Sequence, residues 1–286
     1  MRVERIADGS DPGGTPGEIF TGSIGQREII VAGKVLNYLK IGIKGAVSTA
    51  AVVIETFAGL LSEFALKVGS ETRIQGNMAD LVALQGFLFG EKPLIGENTD
   101  ATGNDFIGGV KIPVFAPVDP AKPITYTATR TAQTNIATET LGISAYTDDT
   151  PNVGKPIHAV TIAVTTAAAA GYQELAARVA PVGKLLGIIL MQANDFADGN
   201  IDVSVQRLRI KVNGQYHSQF NALTDHTPVV ETDVVTPSPY ADLTRNYKFF
   251  DLRPSGIDAK MSEVVLEWDV EDVSDAIRII PVLEIA

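Results

Sequence analysis

The sequence predicts an all-β chain of 286 residues, built as two tandem sandwiches with about one short helix each. Three observations lead there. Gly 26 and Pro 15 supply many turns, which suits short strands better than long helices. Branched and aromatic residues recur in short runs, several of them alternating with polar residues. The second half then repeats features of the first in the same order. Hydrophobic residues at 45% and charged residues at 20% furnish packed cores and exclude disorder as the general state.

The elements follow in chain order. Met1 to Asp11 carries Arg2, Glu4, Arg5 and Asp8 and lacks an apolar core of secretory length, so it is not read as a targeting signal. With the glycine-rich Asp11 to Gly17 it makes residues 1–18 a flexible N-terminal arm, ordered only if something holds it. Strands are expected at Val35–Lys44, Val52–Phe57 and Glu63–Val68, the last entering a turn at Gly69-Ser70. Asn77–Phe89 reads as a helix: Asn77 can cap, and Met78, Leu81, Val82, Gln85 and Phe89 fall at helical spacing. Gly109–Phe115, Ile124–Arg130 and Glu139–Tyr146 are further strands. The stretch from Thr147 to Pro156 has linker composition. The expected division is a first sandwich over 19–148, a linker over 149–156 and a second sandwich over 157–286.

In the second half, strands are expected at Ile157–Thr165, Lys184–Gln192, Val203–Val212, Asn246–Leu252, Glu263–Val270 and Ala276–Ile285. Val264, Leu266, Trp268 and Val270 share one strand face, which places Trp268 in the core. Tyr172, Leu175, Ala176 and Val179 suggest a short helix before Pro181. Pro156 to Gln173 lacks charge, but Thr161, Thr165 and the alternation of Val160, Ile162 and Val164 mark a strand, not a membrane span. The alanine-rich Thr165 to Ala177 has no assigned role.

Leu66-Lys67-Val68-Gly69-Ser70 matches Ile210-Lys211-Val212-Asn213-Gly214, and the offset from Val68 to Val212 is 212 − 68 = 144, roughly half the chain. Met78-Ala79-Asp80-Leu81 faces Phe220-Asn221-Ala222-Leu223, and Gly109–Phe115 corresponds in place to Asn246–Leu252. Common order and offset make a duplicated β domain the better reading. Two such sandwiches suit jelly rolls, each made of two Greek keys. With the strand and turn at Tyr247 to Gly256, the stretch Val264 to Trp268 and the units Leu66–Phe89 and Ile210–Leu223, the chain resembles a known family. It is similar to the double jelly-roll major capsid proteins of icosahedral viruses with an internal membrane, the adenovirus–tectivirus lineage. The small corticovirus-type coat protein is nearest in size.

That resemblance implies a structural protein of a bacteriophage virion, assembled in the host cytoplasm and located in the capsid shell. It implies a homotrimer whose six jelly rolls form a pseudo-hexameric tile, touching neighbouring trimers and a vertex protein. The N-terminal arm, through Arg2 and Arg5, is a candidate contact to an internal lipid membrane. The alternative from the residues is a two-domain carbohydrate-binding or adhesion module, for which aromatics at 7% and a single tryptophan offer little.

The chain is not expected to be an enzyme. His158, His217 and His226 are scattered, and the sequence has no G-x-S-x-G elbow, no Walker A motif and no G-x-G-x-x-G. Zero cysteines remove disulfides, thiolate metal sites and cysteine nucleophiles together. A net charge of −11 argues against direct, sequence-specific nucleic-acid binding. No cofactor is expected, with one weak candidate: Asp195, Asp198 and Asp202 in a polar Asp-Gly turn supply hard oxygens suited to calcium. The EF-hand template fails there, since Phe196 and Val205 replace ligands, and a polar hairpin turn is the plainer reading. Glu263, Glu267, Asp269, Glu271, Asp272 and Asp275 read as a solvated acidic face, or as a subunit contact rich in cations.

Overall fold

A computed structural model describes residues 2–5, 18–20, 24–31, 34–48, 59–91, 94–95, 105–131, 133, 136–149, 155–165, 171–174, 178–192, 205–221, 247–270 and 276–285. The chain divides into two compact units, Met1–Ile157 and His158–Ala286.

In the first unit the strands are β1 (Arg2–Arg5), β2 (Glu18–Phe20), β3 (Ile24–Glu28), β4 (Val35–Val47), β5 (Leu61–Val68), β6 (Glu71–Gly76), β7 (Leu94–Ile95), β8 (Asp105–Pro117), β9 (Ile124–Arg130) and β10 (Ile136–Asp148). One antiparallel sheet places β1 and β2 on β10, then β4, β8 and β7. The other runs β3, β9, β5, β6. Alternation explains both. Ile124, Tyr126 and Ala128 of β9 are buried while the threonines between them are half-buried, and Leu39 and Ile41 do the same on β4. Phe64 and Tyr126 stack at 6.4 Å across the paired strands β5 and β9. Each large side chain so buried stabilises by about 1.5–3 kcal/mol over leaving it in water.

Helix α1 (Met78–Phe89) has the capping box that its sequence offers. Asn77 Oδ1 accepts from Asp80 N at 2.9 Å, and Asn77 N donates to Asp80 Oδ2 at 3.0 Å. Gly90 ends the helix at φ 64, a left-handed value that a Cβ disfavours, and its N–H bonds Gly86 O at 2.9 Å. Met78 to Phe87 are all buried, so this helix is apolar on every side. Its one amide is used: Lys111 N of β8 donates to Gln85 Oε1 at 2.6 Å. That bond fixes the helix against β8.

β11 (Ile157–Val160) begins at the division between the units. The second unit continues with β12 (Ile162–Thr165), β13 (Gly171–Glu174), β14 (Gly183–Gln192), β15 (Val205–Val212), β16 (Gln215–Asn221), β17 (Tyr247–Asp251), β18 (Ile257–Asp258), β19 (Val264–Val270) and β20 (Ala276–Ile285). One sheet pairs β12 with β20, β20 with β14, and β14 with β17 and β18. The other runs β13, β19, β15, β16. Leu185, Ile188 and Leu190 of the first sheet pack with Leu208, Ile210, Leu266 and Trp268 of the second in one core. The unit is therefore a two-sheet sandwich.

Several expectations change. The helix read around Tyr172–Val179 is not formed over Gly171–Glu174, which is strand β13 lying antiparallel to β19. Gly171 starts it at φ 109, and ladder pairing outweighs the helical spacing of Tyr172, Leu175, Ala176 and Val179. In the N-terminal arm, Arg2–Arg5 form a strand held by pairing with Ser144–Thr147. Phe220 and Asn221, matched to the start of α1 by sequence, belong to strand β16. Among the described residues the repeated piece is strand–turn–strand. Val52–Phe57 and the polar stretch with Asp195, Asp198 and Asp202 lie outside the described residues.

Candidate functional site

The calcium candidates Asp195, Asp198 and Asp202 lie outside the described residues, as does His226. Among the described residues no group of three or more metal-ligating side chains converges. His158 is half-buried on β11, and His217 is exposed on β16 with Nδ1 2.7 Å from Ser218 Oγ. These two lie on strands of different sheets. The acidic run divides by role: Glu263 is exposed and ion-paired with Arg178, while Glu267 is buried and ion-paired with Lys211. The solvated-face reading fails for Glu267, because its strand neighbour supplies a cation. Glu271, Asp272 and Asp275 lie outside the described residues.

What the second unit does build is an outward row on the sheet of β13, β19, β15 and β16. Arg207, Arg209 and Lys211 alternate with the core residues Leu208 and Ile210 along β15. Arg209 lies 3.3 Å from the Tyr172 ring centre and 5.1 Å from that of Tyr216. Arg209 Nε also donates to Gln219 Oε1 at 2.8 Å, and the neighbouring Tyr172 raises the Arg207 pKa. The Glu267 hydrogen bond is the main cause that raises the Lys211 pKa. Cations, rings and carboxylates here satisfy one another across four strands. Such a row ties a sheet together and holds no nucleophile–base pair. The row itself was legible, since R-L-R-I-K-V alternates. Its aromatic partners were not, because Tyr172 and Tyr216 come from strands the sequence did not announce.

The first unit has its own outer cluster. Tyr38 and Tyr146 stack at 4.2 Å, and Lys111 Nζ sits 4.0 Å from the Phe89 ring and 3.1 Å from Glu91 Oε1. Burial, then Tyr146 and Glu91, raise the Tyr38 pKa. This cluster joins α1 to β4, β8 and β10.

The feature that unites the molecule is the duplication. β5 and β15 have the same length and lie at the offset seen in sequence, residue for residue. Their hairpin partners pair in the same register: Val68 with Glu71 and Val212 with Gln215, Leu66 with Ile74 and Ile210 with Ser218. Each hairpin has its register shift at the equivalent step, Leu66/Lys67 and Ile210/Lys211. The sheets agree as well. The order β2-β10-β4-β8 of the first unit recurs as β12-β20-β14-β17, and β3-β9-β5-β6 recurs as β13-β19-β15-β16. In both units the chain crosses between sheets at most steps, the wrapping of two Greek keys.

No family model matches the sequence, and no curated protein sequence does. Solved structures do. The STIV MCP superposes with a TM-score of 0.69 at 12% identity, over 99% of this chain and 96% of that one. The major capsid protein P2 from bacteriophage PM2 gives 0.60 at 11% identity, over 100% and 97%. PBCV-1 VP54 gives 0.60 at 11% identity, over 98% and 92%. The fold is the double jelly roll. Identities this low carry no residue from one chain to another, so the likeness is one of architecture. The double jelly roll accounts for both sheet orders and for the repeat within one chain.

Proposed function

We propose that this double jelly roll is a viral major capsid protein, a structural, non-enzymatic subunit of an icosahedral shell. The observation that carries the reading is the pair of units with one strand order, superposing nearly end to end on capsid proteins. Three copies of a chain with two similar sandwiches present six similar wall elements. One gene product then fills a hexagonal lattice as pseudo-hexameric trimers. The net charge of −11 would keep finished particles apart in solution. Neighbouring trimers are the main partners, with a vertex protein where the lattice closes.

An internal membrane is the finer part of the proposal. Its support is Arg2 and Arg5 near the N-terminus, each adding about 1 kcal/mol at an anionic lipid surface. Two such residues anchor no single chain, but many copies on one shell act together. The hard oxygens of Asp195, Asp198 and Asp202 are the sequence's candidate ligands for calcium. Sedimentation tests the core of the proposal: the purified protein should run at three times its 30.4 kDa chain mass or assemble further. A monomer at every concentration, with no particle, would contradict it.

A further inference from the structure

We infer that the open edge of β16 is where a second copy of this chain adds a strand. The occupant rests on the shell reading above; the location rests on the strand itself. β16 ends its sheet and, among the described residues, pairs with β15 alone. An edge strand presents unpaired N–H and C=O groups, and natural chains guard such edges with charge, proline or brevity. The other outer strands of three or more residues follow that rule. β1 has Arg2, Glu4 and Arg5, β2 has Glu18, β3 has Arg27 and Glu28, β13 has Glu174 and β17 has Asp251, while the uncharged β12 is only four residues long. β16 is QYHSQFN, with no proline, glycine, lysine, arginine or carboxylate.

In the equivalent strand β6, Glu71 and Arg73 occupy the places of Gln215 and His217, in the same hairpin register. The charges present in one copy of the repeat are absent in the other. Gln215, Tyr216, His217 and Gln219 are exposed, Tyr216 at 63%, and the aromatic and amide side chains suit pairing between strands. The occupant follows from charge. Two chains of net −11 repel wherever carboxylates meet, so a carboxylate-free edge is where a second copy approaches at least cost. Strand addition then satisfies the backbone groups of both partners.

The test uses the full chain and the double variant Gln215→Lys with His217→Lys, which puts like charges on two exposed edge positions. Ser70→Lys with Ala121→Lys, on exposed turns of the first unit, is the control of equal charge. Sedimentation and hydrogen exchange of residues 215–221 are read on all three proteins, with melting temperature as a check on folding. If the double variant does not fold, Gln215→Lys alone replaces it. Wild type and control should associate and gain amide protection in 215–221, while the edge variant needs at least ten-fold more protein to associate. An edge variant that associates like wild type overturns the inference, as does association that leaves 215–221 unprotected; both leave the shell reading standing. Wild type that never associates overturns both.

Discussion

At the residue scale, the buried side chains of Trp268 and Lys248 have opposite effects on stability. Trp268 is 3% exposed among Leu208, Ile210 and Leu266, and its indole N–H finds no acceptor among the described residues. Trp268→Ala should cost about 3–5 kcal/mol by cavity formation, read by urea unfolding. Trp268→Phe should cost less, because it also removes the unpaired N–H. An unchanged midpoint in Trp268→Ala would place the ring at the surface. Lys248 is 8% exposed, and burial lowers its pKa. The unfolded chain therefore binds a proton that the folded chain gives up sooner, and stability rises as pH climbs from the lowered value toward about 10.4. Lys248→Met should melt higher at neutral pH and lose that alkaline rise. The same rise in both proteins would mean that another group causes it.

At the element scale, the hairpins and the helix make the sharpest claims. Asn213 sits at φ 51 beside Gly214 at φ 78, and Asn213 Oδ1 accepts from Glu263 N at 2.9 Å. Asn213→Ala should cost about 1–2 kcal/mol for the left-handed backbone alone. Gly69 takes the equivalent place in the first hairpin at φ 60, which is why the two turns read differently yet fold alike. Asn77→Ala should lower stability by about 1 kcal/mol through loss of the α1 cap, measured by thermal unfolding. An effect under a few tenths would mean that Asp80 closes the turn unaided. Elements that carry their own signal were legible in sequence: Ile124–Arg130 and Ala276–Ile285 by alternation, and α1 by its Asn77 cap and apolar run. Elements that exist through their partners were not. Arg2–Arg5 needs Ser144–Thr147, and Gly171–Glu174 needs Glu267–Val270, pairings too distant for local spacing to reveal. The outward cation row shows the same limit, since its period was visible and its tyrosines were not.

At the scale of the whole molecule, the division between the units gives a prediction that needs no partner. β10 ends at Asp148 and β11 begins at Ile157, so brief proteolysis of dispersed protein should cut within Thr147 to Lys155 before either sandwich. First cuts inside Val205–Val212 would contradict that division. Assembly is the larger matter. A chain with two sandwiches of one strand order is suited to a lattice that asks six-fold packing of three-fold tiles. Electron cryomicroscopy of particles formed by the purified full-length protein examines this most directly. The expected image is a closed icosahedral shell of hexagonal tiles, each holding three chains and six sandwich lobes. Dispersed single chains under all assembly conditions, or a lattice whose tiles hold some other number of chains, would contradict it.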